Sequence, residues 1–170
     1  MPMIIRDARQ DEFEALGRLM VAVYSSLDGF PKPDEQPKYY EMLANIGLMT
    51  AKPGTRLLVA EQDGRLLGGV VYFADMAQYG SGGTATQEKH AAGFRLLAVD
   101  SAARGMGAGR ALAQKCVDLA REGRLGQVII HTTRSMQVAW GMYEKMGFKR
   151  SLDLDFMQGQ LPVFGFRLPL

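Results

Sequence analysis

A chain of 170 residues, 47% hydrophobic and 22% charged, can bury a substantial core and has neither a disordered nor a fibrous composition. A formal net charge of +2 is too small to point to nucleic acid, and no apolar run approaches the roughly 20 residues that span a bilayer. Cys116 is the one cysteine, so no internal disulfide can form; with the early charges Arg6, Asp7 and Arg9 arguing against a secretory leader, the expected home is the cytoplasm.

In chain order, Met3 to Arg9 reads as a first strand. Asp11 is placed to cap the helix that follows, in which Phe13, Leu16, Met20, Val23, Tyr24 and Leu27 form one apolar stripe at three- and four-residue spacing. Glycine and proline in the segment Asp28-Gly29-Phe30-Pro31-Lys32-Pro33-Asp34 interrupt helical continuity. A second helix is expected from Pro37 to about Met49, with Tyr39, Met42, Leu43 and Ile46 on one side, ended by Lys52-Pro53-Gly54. Arg56 to Glu61 and Arg65 to Phe73 are strand-like about Asp63-Gly64, a hairpin signal because both turn positions want positive φ. Residues 76–91 are polar and glycine-rich, and a loop of that length is usually functional or disordered. The rest reads as strand 94–99, helix 107–122, strand 127–133, helix 136–146, and strands near 148–156 and 161–168. The order is β-α-α-β-β-β-α-β-α-β-β, with no internal repeat and no domain boundary, so residues 1–170 are expected to form one domain. No Cys/His cluster has zinc spacing, and no metal is expected.

The most informative stretch is Arg104-Gly105-Met106-Gly107-Ala108-Gly109, between the strand Phe94-Arg95-Leu96-Leu97-Ala98-Val99 and a helix opening at Arg110. A glycine-rich turn there brings bare N–H groups to a helix N-terminus, where the unpaired donors and the helix dipole hold an anion. Arg104 adds a guanidinium able to chelate phosphate. A P-loop would need Gly-Lys-Ser/Thr, whereas Gly109 is followed by Arg110-Ala111. A dinucleotide fold would need a third glycine where Arg110 stands and a later carboxylate, but the next strand ends in His131-Thr132-Thr133. The remaining pattern, Arg-x-x-Gly-x-Gly, is matched by Arg104, Gly107 and Gly109 and resembles the pyrophosphate-binding turn of the GCN5-related N-acetyltransferases (GNAT). Two further segments carry the resemblance. Ala139 to Phe148 is similar to that family's Ala-x-x-x-Tyr-Glu-Lys-x-Gly-Phe helix ending, and Leu97-Ala98-Val99-Asp100 to its Leu-x-Val-Asp strand. The likeness is carried by residues 93–149.

The resemblance implies a GNAT-like α/β fold: a mixed, mostly antiparallel sheet with helices on both faces. It implies an acetyl-CoA-dependent N-acetyltransferase, releasing coenzyme A, that transfers to a primary amine of a small molecule or peptide by direct attack in a ternary complex. Arg104, Gly105, Met106, Gly107, Ala108, Gly109 and Arg110 would then hold the pyrophosphate, and the backbone of Leu97, Ala98 and Val99 the pantetheine arm. Donors on that strand, commonly opened by a bulge in the family, would face the thioester oxygen. Tyr143 is the candidate general acid, since a phenol near pKa 10 can protonate a thiolate of pKa about 8.5; the competing reading is aromatic packing beside Phe148. His131 is the tentative base, twelve positions before Tyr143 where some members carry glutamate; the competing reading is a strand histidine in a hydrogen-bond network. Glu88 and His90 are rival bases or solvated loop residues, and ordered water is a further alternative. Family members often touch the coenzyme with an asparagine where this chain has Met136, whose thioether cannot donate; Ser135 is the candidate to replace it.

Cys116 reads as core filler, Trp140 as a packing or interface residue, and Gly147 as a left-handed helix end. Tyr39 and Tyr40 are placed for an acceptor wall. A non-catalytic acyl-CoA sensor and a transferase for protein N-termini or lysines remain open. The expected partner is an amine-bearing acceptor, with neither nucleic acid nor membrane, and the resemblance allows a homodimer through the C-terminal strands.

Overall fold

A computed structural model describes residues 2–170. Strand β1 (Ile4–Asp7) leads to α1 (Phe13–Ser25) and α2 (Pro37–Ala44); β2 (Thr55–Gln62), β3 (Arg65–Phe73) and β4 (Ala91–Val99) follow, then α3 (Ala108–Glu122), β5 (Gln127–Thr132) and α4 (Gln137–Lys145), and finally β6 (Lys149–Arg150), β7 (Phe156–Gln158) and β8 (Leu161–Pro169). The strands form one eight-stranded sheet in the order β1-β2-β3-β4-β5-β8-β6, with β7 paired to β8 beside it. Every pairing is antiparallel except β4 with β5. This is the mixed, mostly antiparallel α/β arrangement that the resemblance implied.

The sheet is buried on both faces, which explains why β2 and β3 read as near-continuous apolar runs. On one face, Leu16, Met20 and Tyr24 of α1 and Tyr40 and Leu43 of α2 share a cluster with Leu57, Val59 and Val71. On the other, Leu112, Cys116 and Val117 of α3 and Tyr143 of α4 join Leu58, Val70, Tyr72 and Phe94. Cys116 is fully buried, and burial pushes its thiol pKa well above the ordinary value, the state of an inert core residue. Among the described residues no helix is long and apolar enough to cross a membrane.

The Asp63-Gly64 turn has the expected positive φ values, 53° and 78°. Four expectations need correction. Asp11 is not the cap of α1; Glu12 takes the Arg9 N–H (2.8 Å) and holds Arg6 with both oxygens (2.9 and 2.8 Å), so the chain enters α1 through Glu12. The second helix stops at Ala44 and tightens into a 3₁₀ run at Ile46–Ala51, which seats Gly47 against the Phe13 ring, where even a Cβ would sit 2.2 Å from it. The 76–91 loop is ordered by two 3₁₀ turns, Met76–Gln78 and Ala85–Gln87, around the fully buried Tyr79, and β4 begins at Ala91 rather than 94. The strand expected near 148–156 breaks at Leu152–Leu154, where Asp155 accepts the Gly165 N–H (2.7 Å) and pairs with Arg150 (2.7 Å).

Candidate active site

The site begins with an interrupted strand pair. β4 and β5 run in parallel register from Ala91↔Gln127 to Gly93↔Ile129, and there the pairing stops. Beyond that point each keeps only its outer neighbour, β3 or β8, and a cleft opens between them. The bend that opens it lies in β4. Val71 pairs with Arg95 but Gly69 pairs with Ala98, so β4 holds one extra residue, a bulge. Leu96 occupies it at φ +62°, a left-handed conformation costing about 1–3 kcal/mol for a side chain of this size. The face of the strand switches there: Phe94 belongs to the α3 side and Leu96 to the α1 side, with Leu97 and Ala98 continuing the alternation out of step. Inside the cleft, the Tyr24 hydroxyl of α1 donates to the Leu97 carbonyl (3.0 Å).

The cleft ends at the glycine-rich turn. Asp100 accepts the Ala102 N–H (3.1 Å) and starts a 3₁₀ turn at Ser101–Ala103; Gly105 and Gly107 then take φ of +83° and +85°. The Ala111 N–H makes the first α3 bond, to Gly107 C=O (3.0 Å), so the N–H groups of Ala108, Gly109 and Arg110 have no acceptor within the helix. A Cβ on Gly105 or Gly107 would meet nothing within 4 Å, so bare backbone borders open space. Gly109 packs closely, its Cβ position 3.5 Å from Val99 and 3.9 Å from Met142. Arg104 and Arg110 are exposed and, among the described residues, unpaired with any carboxylate. Met106 is largely exposed beside them. A hollow of about 490 Å³ lies between α1 and the Asp100–Arg104 segment. Free amides, two guanidinium groups and room without side chains fit a pyrophosphate.

Tyr143, on the last turn of α4, stands edge-on to Phe94 and to Phe148, each at 5.8 Å. Phe94 is the first β4 residue past the last β4–β5 pair, so the phenol lies beside the point where the strands part. No hydrogen bond of its hydroxyl is seen among the described residues, and burial raises its pKa and keeps it protonated. Among the described residues one buried side-chain atom does lack a partner: Thr133 Oγ1, just after β5. Met136 precedes α4 without a side-chain cap, touched by Thr132 Oγ1 through its sulfur (3.5 Å). Ser135 lies instead next to Gly29.

Neither ring nitrogen of His131 is free, and Glu88 is held in an ion pair. His131 Nε2 lies 2.9 Å from the Leu154 carbonyl and Nδ1 3.0 Å from the Tyr79 hydroxyl. A carbonyl only accepts, so Nε2 carries the proton and Nδ1 accepts from Tyr79. Burial lowers the His131 pKa below its ordinary 6.5, against the raising effects of Leu154 and Asp155. Glu88 is bound by Arg167 (2.5 Å), which also reaches Asp153. His90 is exposed at the other end of the parallel pair from the turn, its carbonyl taking the Gly126 N–H (2.9 Å).

Sequence reading missed Tyr79 and Arg95. Nothing local marks Tyr79, a lone aromatic in a polar loop. Arg95 did carry a signal, a cation inside an otherwise apolar strand. The two tyrosines expected to line an acceptor wall lie in an aromatic cluster: Tyr39 is 6.1 Å from Tyr24, 5.7 Å from Phe30 and 5.7 Å from Tyr40, whose hydroxyl donates to Pro31 C=O (2.6 Å).

A sequence model of the Acetyltransferase (GNAT) family matches residues 19–148. Mycothiol acetyltransferase of Cellulomonas flavigena is 36% identical over 109 residues, 62% of this chain, and the match spans 30% of that longer protein. Among solved structures, a GNAT-family acetyltransferase of Staphylococcus aureus Mu50 aligns over 99% of both chains with a TM-score of 0.76 at 16% identity. The PaiA N-acetyltransferase of Thermoplasma acidophilum, solved in complex with coenzyme A, aligns over 97% of this chain and 98% of its own with a TM-score of 0.72 at 14% identity. At such identities the structural likeness is one of fold.

Proposed function

The chain belongs to the acetyltransferase (GNAT) family, and from that premise we propose that it acts as one acetyl-CoA-dependent N-acetyltransferase domain, its acceptor a primary amine attacking directly in a ternary complex. The observation that carries this reading is the cleft that opens at the β4 bulge and runs out at the bare 104–110 turn. The turn amides with Arg104 and Arg110 hold the pyrophosphate, and the cleft-side edge of Leu97, Ala98 and Val99, where the Leu97 carbonyl already accepts from Tyr24, holds the pantetheine. When bound, acetyl-CoA supplies an acetyl group activated as a thioester.

The chain's own groups then divide the work. Backbone donors near the bulge polarise the acyl oxygen, a preorganised arrangement that commonly contributes several kcal/mol. Tyr143, protonated and without a protein acceptor, gives its proton to the departing sulfur. The orphaned Thr133 hydroxyl makes the coenzyme hydrogen bond that Met136 cannot. With both His131 nitrogens engaged and Glu88 held by Arg167, the ammonium proton leaves through water, and His131 serves by holding Tyr79 in place.

The test is turnover. Purified protein with acetyl-CoA and a panel of amines should release thiol and form N-acetyl product. Intact mass after incubation with acetyl-CoA alone should show no acetylated protein. Coenzyme binding without product from any amine or peptide would replace this reading with that of a sensor.

A further inference from the structure

Five arginines of the described chain are partly withdrawn from water: Arg6, Arg56, Arg95, Arg150 and Arg167. Four have a carboxylate, from Glu12, Asp7, Asp155 and Glu88 respectively. Arg95 has none within 4.0 Å among the described residues. Its guanidinium gives one N–H to the Tyr79 carbonyl (2.9 Å) and lies 5.7 Å from the centre of that ring. Lys52 is also half-buried and also lacks a carboxylate, with only a long contact to the Gln78 carbonyl (3.4 Å). The two cations converge: the place where a Cβ on Gly80 would stand is 3.3 Å from Arg95 Nη1 and 3.7 Å from Lys52 Nζ. Among the groups whose titration Arg95 perturbs are the phenols of Tyr24, Tyr39 and Tyr79 and the imidazole of His131, none of which offers a negative charge.

Two neighbouring cations with no carboxylate within 4.0 Å among the described residues repel each other, and a half-buried guanidinium with most of its donors unused is an incomplete site. Its planar fork matches a carboxylate. The position is decisive. Arg95 lies two residues past the last β4–β5 pair and immediately before the bulge, beside the place where the amine must meet the acyl carbon. We propose that Arg95, assisted by Lys52, binds a carboxylate of the acceptor, and that the acceptor is a compact amino acid whose acid group lies close to its reacting nitrogen. The aromatic wall of Tyr24, Phe30 and Tyr39 receives its apolar side chain. A polyamine or a lysine side chain would bring further positive charge to two cations and is disfavoured. This inference rests on the acyl-transfer reading and narrows it to a substrate class.

The experiment compares kcat/KM by thiol release for L-phenylalanine and L-methionine, their carboxamides, and spermidine, using the full chain at saturating acetyl-CoA. The carboxamides have the less basic amines, so intrinsic reactivity favours them at neutral pH. The acids should nevertheless be preferred by roughly tenfold or more, the scale of a charge-assisted hydrogen-bond pair. Arg95→Gln should bring the acid-to-amide ratio close to one, and Lys52→Gln should lower it in part, with coenzyme affinity by calorimetry unchanged in both. Arg95→Lys, which keeps the charge but not the fork, should restore part of the ratio. Equal or better turnover of carboxamides or spermidine by the unaltered protein, or an unchanged ratio in both glutamine variants, overturns the proposal. So does the absence of turnover with either acid while the coenzyme binds. Failure to bind coenzyme A removes the acyl-transfer reading, and this inference with it.

Discussion

Tyr143 and His131 sit in contrasting surroundings, though both are partly or fully buried aromatics near the cleft. Tyr143 has a ring locked by Phe94 and Phe148 and a hydroxyl free of protein partners, the condition of a group kept ready to donate. Tyr143→Phe should lower kcat by roughly 100-fold or more, the usual scale of lost acid catalysis, with coenzyme affinity nearly unchanged. Steady-state kinetics over a range of pH checks this, and full activity throughout would remove the acid role. His131 is bound at both nitrogens, and protonation would strip the Tyr79 hydroxyl of its acceptor. Its folded-state pKa lies below the unfolded value near 6.5, chiefly through burial. Between those two values the unfolded chain binds the extra proton, so stability must fall as pH drops below about 6.5. Asp7, Glu12, Asp153 and Asp155 are held below their ordinary values by arginine partners or local hydrogen bonds, Glu12 at about 2, so their contributions are lost in more acidic solution. The melting temperature should therefore decline from pH 7 to pH 5, and His131→Gln, which keeps a donor and an acceptor, should flatten that decline. The role of His131 was open in the sequence because a strand histidine looks the same whether its nitrogens are free or bound.

Elements were legible where their signals are local. The Asp63-Gly64 hairpin, the α1 stripe and the α3 helix follow from turn chemistry and from apolar spacing. The interruptions were not. The break at Leu152–Leu154 depends on Asp155 meeting Arg150 and Gly165, and the early end of α2 seats Gly47 against Phe13. The same close packing yields a prediction for the α1–α2 crossing. A Cβ on Gly17 would lie 2.2 Å from the Ala44 carbonyl oxygen, a backbone atom that cannot step aside alone. Gly17→Ala should cost about 2 kcal/mol, the middle of the overpacking range, despite alanine's better helix propensity. Thermal unfolding should show a loss of roughly 4–8 °C. An unchanged or higher melting temperature would mean that α1 and α2 separate without penalty.

At the scale of the molecule, the cleft links the sheet's interior to a phosphate-sized gap at its edge, and filling it should stabilise the whole fold. At coenzyme A concentrations about 100 times Kd, the expected gain is about 2.7 kcal/mol. For a chain of this size that is a rise in melting temperature of roughly 5–10 °C. Gly107→Leu should abolish the rise, since its side chain would enter the open space beside Ala108 and Gly109, and positive φ should also lower the variant's own melting temperature by a few degrees. A full coenzyme shift in that variant would move the phosphate site elsewhere. By itself the sequence determined the element order as far as α4 and the turn at Arg104–Gly109, because periodicity, glycine placement and short spacings are properties of neighbouring residues; Tyr143 as candidate acid came from the family resemblance. The tertiary structure alone decided that β4 parts from β5 after Gly93, that His131 is bound at both nitrogens and Glu88 held by Arg167, and that Arg95 and Lys52 both come to Gly80 with no carboxylate within 4.0 Å of either among the described residues. Those facts turn on which distant atoms become neighbours when the sheet closes, and no window along the chain contains them.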